Sequence, residues 1–587
     1  MQESRQPSEP DIKKHSFSWL TVEVGLYLLI LAVALALRVI GLGRGVMDEH
    51  EAAQAWQAWR LINVHAAASS PTASAYSPLL LTAQAVLFAL FGASDVTARL
   101  FPALIGGVAS LLPALLRDRL GRQGALAAAL TLAISPTLVY TARYGDGGGL
   151  LAAFLLAMIT LMLAWTREQQ PAYIWAGAIC GVCALLADPR IVGAIIALAA
   201  VWAVERLVFR RTPFLLPGRE IDRRRLALII GVTLVLLATT LTLNPGGLGA
   251  WADFPARWLI HLQPVVNGQG WAYPLTALII YEPLLLFLGL IGAVTLIGRR
   301  DEMTVLVWLA LALLLLALLA GGRNAADVAL VCAVLALLAG AAIETLAADW
   351  RKGTLIREGA FVGIALIIGV YVVLELAMYA SALYRQIQAI NYFYLWLLAV
   401  TLILVLLGLY ITWFGPQPTW RALSATAALG LLLTTFATSV RLNFEHVNDP
   451  KELHIRVAPY VGVRDALQTM RKLAWQQAGY PISLPIAVEA RLGYTWRWYL
   501  RSWERVEFVD TLSSEMNTPL VLTLASESTP TLGAQYSGQD FVVRKWWSPE
   551  FLDRTDVLTW WLYAKSSTYA VKLDSVILWT RMANNEQ

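Results

Sequence analysis

Pro78-Leu79-Leu80-Leu81-Thr82-Ala83-Gln84-Ala85-Val86-Leu87-Phe88-Ala89-Leu90-Phe91 is the stretch on which the topology of the chain turns. A helix needs about 20 apolar residues, rising 1.5 Å each, to cross a hydrocarbon core roughly 30 Å thick. This run has about 14 and is short for a crossing. If it crossed, Arg117, Arg119 and Arg122 would leave the side on which Lys13 and Lys14 lie. Read instead as an interfacial or re-entrant helix, it lets every basic cluster fall on one side. Those clusters are Arg117 to Arg122, Arg167, Arg206 to Arg211, Arg219 to Arg225, Arg299 and Arg300, Arg351 to Arg357, and Arg421. That side is expected to be the cytoplasm.

The composition agrees with a membrane protein. Of 587 residues, 58% are hydrophobic and only 14% are charged, and the mean hydropathy is +0.60; soluble domains carry roughly 25% charge. The net charge of +5 is small for the length and sits in short clusters between apolar runs, which excludes a nucleic-acid face. Cys180, Cys183 and Cys332 all fall within apolar segments, so no disulfide framework is expected, and the lone Cys180/Cys183 pair reads as small residues packing between helices. The apolar run after the polar tail 1–17 ends in Arg38 with no small-residue cleavage site, and reads as a retained anchor.

Apolar runs near 18–40, 97–116, 124–141, 148–165, 171–187, 190–206, 226–243, 273–297, 304–320, 325–347, 359–380, 392–413 and 421–438 give about thirteen spans. The expected architecture is an α-helical polytopic membrane domain over 18–439, followed by a small extracytoplasmic α/β domain over 440–587. In that second part helix-like sequence (459–478) alternates with strand-like sequence at 482–489, 505–510, 519–524 and 540–547. Its aromatic and basic patch, Gly493 to Arg501, is expected to pack on the rest of the protein or on the lipid interface.

Residues 41–96 then form one long outer loop with two membrane-hugging helices, roughly 49–62 and 78–91. The loop opens on Arg44-Gly45-Val46-Met47-Asp48-Glu49-His50-Glu51, followed by an amphipathic helix with Ala52, Ala55, Trp56, Trp59, Leu61 and Ile62 expected to face the membrane. Asp48 and Glu49 suit a helix N-terminus on electrostatic grounds alone. Other polar groups gather in the outer turns: Tyr140, Arg143, Tyr144 and Asp146; Asp188 and Arg190; Asp253, Arg257, His261 and Gln263; Arg323 and Asn324. Ionisable groups restricted to span ends in this way mark a functional site in a membrane protein. No glycine-rich phosphate motif, HExxH, GxSxG or zinc spacing occurs.

Several strings carry a family resemblance: Asp48-Glu49, Ser77-Pro78-Leu79-Leu80, Leu90-Phe91-Gly92, Ala98-Arg99-Leu100-Phe101-Pro102-Ala103-Leu104, Leu120-Gly121-Arg122, and Ser135-Pro136 leading to Tyr140 and Arg143. Together they resemble the GT-C superfamily of integral-membrane glycosyltransferases, in particular bacterial and archaeal relatives of the protein O-mannosyltransferases and lipid A aminoarabinose transferases, and within these a flippase-associated group. The resemblance is dense over 40–150 and thin beyond 440.

It implies a transferase that uses a polyprenyl-phosphate sugar and works with inversion at the outer face of the plasma membrane. Asp48 would be the general base, Glu49 would orient it, and Asp146 would be the second-loop acid. Arg143 or Arg99, and less directly Arg190 and Arg323, would meet the donor phosphate, while Trp56, Tyr76 and His261 would contact acceptor or lipid. Alignment on Ala55, Trp56 and Arg60 instead puts His50 and Glu51 in the acidic positions, so Asp48 and His50 both stand as candidates for the base. The metal requirement is unknown; Mg²⁺ or Mn²⁺ is compatible with acids and a phosphate donor, although no ligand spacing exists to count. The alternative is a non-catalytic protein on the same scaffold, assisting lipid-linked sugar translocation or serving as a subunit of a complex. A secondary transporter fits less well, because its charges would lie at mid-membrane between repeats.

Overall fold

A computed structural model describes residues 21–63, 77–209, 222–265, 268–299, 302–455, 457–459, 461–525 and 531–582. The first helix, α1 (Val22–Val39), begins at a Thr21 cap and ends at Ile40. Asp48 caps α2 (Glu49–Ile62), and Ser77 and Pro78 open α3 (Pro78–Phe91), which stops at Gly92 with φ 80°. A Ser94/Thr97 capping box starts α4 (Asp95–Ala109), and a 3-10 turn at Leu112–Leu116 leads into α5 (Arg117–Ile134). Gly121 breaks α5 near its start, with φ 73°, a conformation that costs glycine little and other residues more. The helix kinks there, and the run read as 124–141 is divided further on, at Ser135, between α5 and α6 (Pro136–Arg143), which Ser135 caps.

Next come α7 (Gly148–Glu168), α8 (Pro171–Ala187), α9 (Ile191–Leu207) and α10 (Arg223–Ala238). Two short helices follow, α11 (Gly246–Ala252) and α12 (Phe254–His261), parted at Asp253 ahead of Pro255. Helices α13 (Tyr273–Tyr281) and α14 (Pro283–Arg299) meet at 102° across Glu282. They are followed by α15 (Val305–Leu319), α16 (Ala325–Trp350), α17 (Leu355–Tyr384), α18 (Ile390–Phe414) and α19 (Pro416–Val440).

Among the described residues eight helical segments are long and apolar enough to cross a membrane, or nine if the bent pair is one span. The count of about thirteen read from the sequence also includes shorter helices such as α8 and α9, at 17 residues each. The protein is thus a multi-pass membrane protein. Helix α16 forms its axis: 89% of its most apolar window is buried inside the protein. The outer helices α17 and α18 have 11% of theirs buried, as expected for faces turned to lipid.

The two ends of the bundle differ in charge. Glu23, at the start of α1, pairs with Arg117 and Arg122, Arg119 pairs with Glu302, and Arg351 at the far end of α16 pairs with Glu344. At the other end of α1, roughly 27 Å away by helical rise, lie α2, α3, α6 and the domain that follows α19.

That domain carries a six-stranded sheet in the order β1-β5-β6-β4-β2-β3. The strands are β1 (Val457–Pro459), β2 (Ile486–Glu489), β3 (Val506–Val509), β4 (Leu520–Leu524), β5 (Tyr536–Trp546) and β6 (Val571–Arg581). The β2 strand runs parallel to β3 and β4, and the other pairings are antiparallel. Helix α20 (Gly462–Ala478) lays Val463, Ala466, Leu467 and Met470 on the sheet. The short helix α21 (Gly493–Tyr499) reaches the membrane domain. Before the sheet, Leu442, Leu453 and Ile455 join the membrane core, although the change in composition falls at about 440.

In α2 the structure departs from the sequence reading. Ala52, Ala55 and Ala58 do not face lipid; they pack with Leu81, Phe88 and Ala98 around Trp498 of α21, which is fully buried. Trp56 is 8% exposed and stacks on Trp59. An alternation of apolar and polar residues specifies a buried face but not what buries it, and here a second domain takes the place of the bilayer.

Candidate active site

A cavity of about 1020 Å³, open mouth included, lies where α2, α4, α6 and the 441–459 segment converge. Asp48, His50, Glu51, Arg99, Tyr140, Arg143, Tyr144, Asn324, Asn443 and His454 contribute to its walls. The acids of the first loop, contiguous in sequence, have separate surroundings. Asp48 is half-buried and uses Oδ1 to accept from Glu51 N at 2.9 Å, as helix caps do. Burial, and then the charge of Glu51, raise its carboxyl to about 6, against opposing pulls from His50 and Arg99.

Glu51 is 1% exposed and accepts Arg99 Nε at 2.8 Å, Arg99 Nη2 at 2.5 Å and Gly145 N at 2.5 Å. Arg99 completes its donors on the carbonyls of Leu42 and Gly45, both at 3.1 Å. This bidentate pair ties α2 to α4 and to the loop after α6. Glu49 turns out of the cavity, and its carboxylate receives Tyr494 N, Thr495 N and Thr495 Oγ1 at 2.6, 3.1 and 3.1 Å. His50 is exposed on the cavity wall.

Asp146 follows α6 and uses Oδ1 to accept Gly148 N at 3.0 Å. Burial and the neighbouring charge of Asp188 raise its carboxyl to about 7; Arg190 opposes this and Asp48 adds to it. Asp48 is the weakest of these influences, and Asp146, unlike Asp48, does not line the large cavity. Beyond them a charged chain continues. Arg190 bonds Asp188 at 2.9 Å and Asp327 at 3.0 Å, and His261 Nε2 meets Asp327 Oδ1 at 3.1 Å. The chain ends at a second, small groove between α9, α12, α15 and α16, walled by Ala194, Leu313, Leu316 and Leu330 together with Arg190, His261 and Asp327.

The four candidate arginines are all engaged by protein acceptors. Arg143 donates to the carbonyls of Leu37, Arg38, Ile40 and Gly41 at the end of α1, and its guanidinium lies 4.6 Å over Phe444. Arg323 spans the carbonyls of Leu318 and Gln269, apart from the large cavity. Of the four, Arg99 and Arg143 line that cavity and Arg190 lines the groove. Tyr76 lies outside the described residues.

The sequence reading missed the floor of the cavity. His454 Nδ1 meets Tyr273 Oη at 2.7 Å and its Nε2 meets Thr137 Oγ1 at 3.1 Å, while Tyr281 and Tyr140 flank the ring at 4.4 and 5.4 Å. Burial pushes this imidazole down to about 3, so it stays neutral even though Glu452 is nearby. Asn443 is pinned to Ser439 and Pro136 carbonyls. The one signal in the sequence was polar and aromatic residue types directly after the last apolar run. Among the described residues no three His, Cys, Asp or Glu side chains come together to hold a metal ion.

The helical bundle, the first-loop helices and the capping domain define the class: an integral-membrane protein with an ArnT-like fold. Residues 75–218 match the family described as dolichyl-phosphate-mannose-protein mannosyltransferase. The whole architecture is similar to the crystal structure of ArnT from Cupriavidus metallidurans bound to undecaprenyl phosphate, with a TM-score of 0.53 at 17% identity, covering 83% of this chain and 85% of that one. The apo state of the same ArnT gives 0.51 at 19% identity, covering 83% and 86%. No curated protein matches the chain significantly.

Proposed function

We propose that the protein is a glycosyltransferase that moves a sugar from a polyprenyl-phosphate donor to an acceptor hydroxyl, with inversion at the anomeric carbon. The observation that carries the reading is Asp48, a carboxylate with a raised pKa on the wall of a large polar cavity at one end of a membrane bundle. A base poised near the working pH takes a proton efficiently as the new bond forms. The acceptor oxygen attacks the anomeric carbon, its proton passes to Asp48, and the bond to the phosphate oxygen breaks with its electron pair leaving on the phosphate.

Arg143, whose acceptors are neutral carbonyls, supplies positive potential on this wall, where developing phosphate charge is stabilised without reorganisation, while the charge of Arg99 is matched by Glu51. Tyr140 and Tyr144, stacked at 6.1 Å, offer an apolar face to a sugar ring. With the basic clusters at the opposite end of the bundle, the cavity faces away from the cytoplasm.

One observation favours a second reading, a non-catalytic protein that binds lipid-linked sugar. Every candidate arginine already has protein acceptors. The test uses purified protein with undecaprenyl-phosphate hexoses or pentoses and hydroxyl acceptors. Wild type is expected to form product, and Asp48→Asn to lose about 10²- to 10⁴-fold in rate. Equal product from both would remove Asp48 as the base. Binding of undecaprenyl phosphate without product from any donor would favour the second reading.

A further inference from the structure

The short segment that carries Asp48 is held along its length by residues more than 400 positions later in the chain. Arg464 Nη2 donates to the carbonyls of Gly43 and Gly45 at 2.7 and 3.4 Å. Val46 is 3% exposed and sits in the hydrophobic core of the C-terminal domain, with Val463, Leu467, Trp496 and Leu500. Met47 is fully buried, and its N–H donates to Tyr499 Oη at 2.9 Å. Tyr499 in turn donates to Asp95 Oδ2 at 3.1 Å, so its hydroxyl proton is committed and its lone pair faces Met47. Glu49, on the other side of Asp48, caps the first N–H groups of α21. Gly493 at the head of α21 has φ 81°, and a Cβ there would lie 2.5 Å from Glu49 Oε1, so only glycine admits this approach.

Gly43, Gly45, Val46, Met47 and Glu49 are therefore all fixed from the C-terminal domain, while Asp48 between them is left to face the cavity. The geometry points to a positioning function for this domain: Tyr499 and Arg464 act through the backbone of Gly43 to Met47 to aim the Asp48 carboxylate, rather than serving an acceptor site of their own. A carboxylate misplaced by about 1 Å can lose roughly 10²-fold in rate. The hydrogen bond at Met47 N lies next to the carboxylate in sequence, and because a buried backbone N–H left without a partner is unfavourable, its loss drives the segment to rearrange. This inference rests on the transferase reading for its kinetic consequence and on the contacts alone for its structural one.

The experiment uses full-length protein in nanodiscs and compares wild type with Tyr499→Phe, Arg464→Gln and the control Lys572→Ala, whose ion pair to Asp540 is on the exposed face of the sheet. Tyr499→Phe is expected to lower kcat about tenfold or more with the KM for the lipid donor unchanged, and to move the acid limb of the pH–rate profile. Lys572→Ala is expected to do neither. In parallel, hydrogen exchange of peptides covering 42–52 is expected to quicken at least tenfold in Tyr499→Phe and in Arg464→Gln, with peptides from α7 unchanged. Unaltered kcat and pH limb together with wild-type exchange at 42–52 overturn the inference. Faster exchange with unaltered kinetics overturns it as well, since the clamp would then serve stability alone. If wild type itself transfers no sugar, the transferase reading falls, and the exchange data by themselves decide whether the domain holds this segment.

Discussion

At the scale of single residues, four neighbours, Asp48 to Glu51, have three environments: Asp48 and His50 line the cavity, Glu49 meets a helix N-terminus in another domain, and Glu51 meets a buried guanidinium. The two candidates for the base, Asp48 and His50, both line the cavity, and a backbone hydrogen bond to Glu51 N fixes the pose of Asp48 there. Its raised pKa sets the sign of a pH effect. A base works ionised, so the rate is expected to fall as pH drops through about 6. An aspartate with an ordinary value would hold its rate to roughly pH 4. A pH–rate profile of the wild type, flat down to that value, would count against Asp48. For Glu51→Gln the expected loss is of stability before rate. It leaves Arg99 buried without its counter-charge, at about 3–5 kcal/mol for breaking a buried pair, and thermal unfolding in detergent would show it as a drop of several degrees. The pairing was not legible beforehand: Glu51 and Arg99 are 48 residues apart, and nothing in a single sequence links them.

At the scale of elements, apolar runs located most of the helices because the bilayer imposes a length, and alternating β-branched residues located β2, β3 and β4 because these strands are flanked by turn residues. The failures have physical reasons too. β1 has only three residues and no period to detect. The expected strand at 540–547 is the second half of β5 (Tyr536–Trp546), whose exposed first half carries polar side chains. Close helix crossings were equally hidden. A Cβ on Gly124 of α5 would lie 2.5 Å from the Gly340 carbonyl of α16, and one on Gly340 would lie 2.7 Å from the Gly124 carbonyl. Small residues of this kind let membrane helices approach closely, and they look like any other glycine in an apolar run. Gly340→Val is expected to separate α5 from the central helix and to cost about 1–3 kcal/mol, read as a lower unfolding temperature. An unchanged temperature would show that the crossing has room to give.

At the scale of the whole molecule, charge is sorted by end. Glu23, Arg117, Arg122, Glu344 and Arg351 form ion pairs at one pole, and the cavity and its capping domain occupy the other. If the basic pole is cytoplasmic, the capping domain lies outside. A cysteine in place of Tyr569, which is 90% exposed, should then react with a membrane-impermeant maleimide in cells whose envelope is open to it. The native Cys183 and Cys332 are buried and Cys180 is partly so, all three within apolar helices, which keeps the background low. Protection of position 569 until the membrane is broken would reverse the assignment.

The same long-range grip on residues 43–49 also has a meaning for biosynthesis. The ribosome delivers Asp48 early, at a stage when Arg464 and Tyr499 are still unmade, so a nascent chain with most of its helices inserted lacks the contacts that hold residues 43–49. Those contacts form only after the C-terminal domain has been translated and has docked. Partly made chains, or chains stalled during insertion, therefore carry Asp48 on an unclamped segment, and the clamp arrives in one late step.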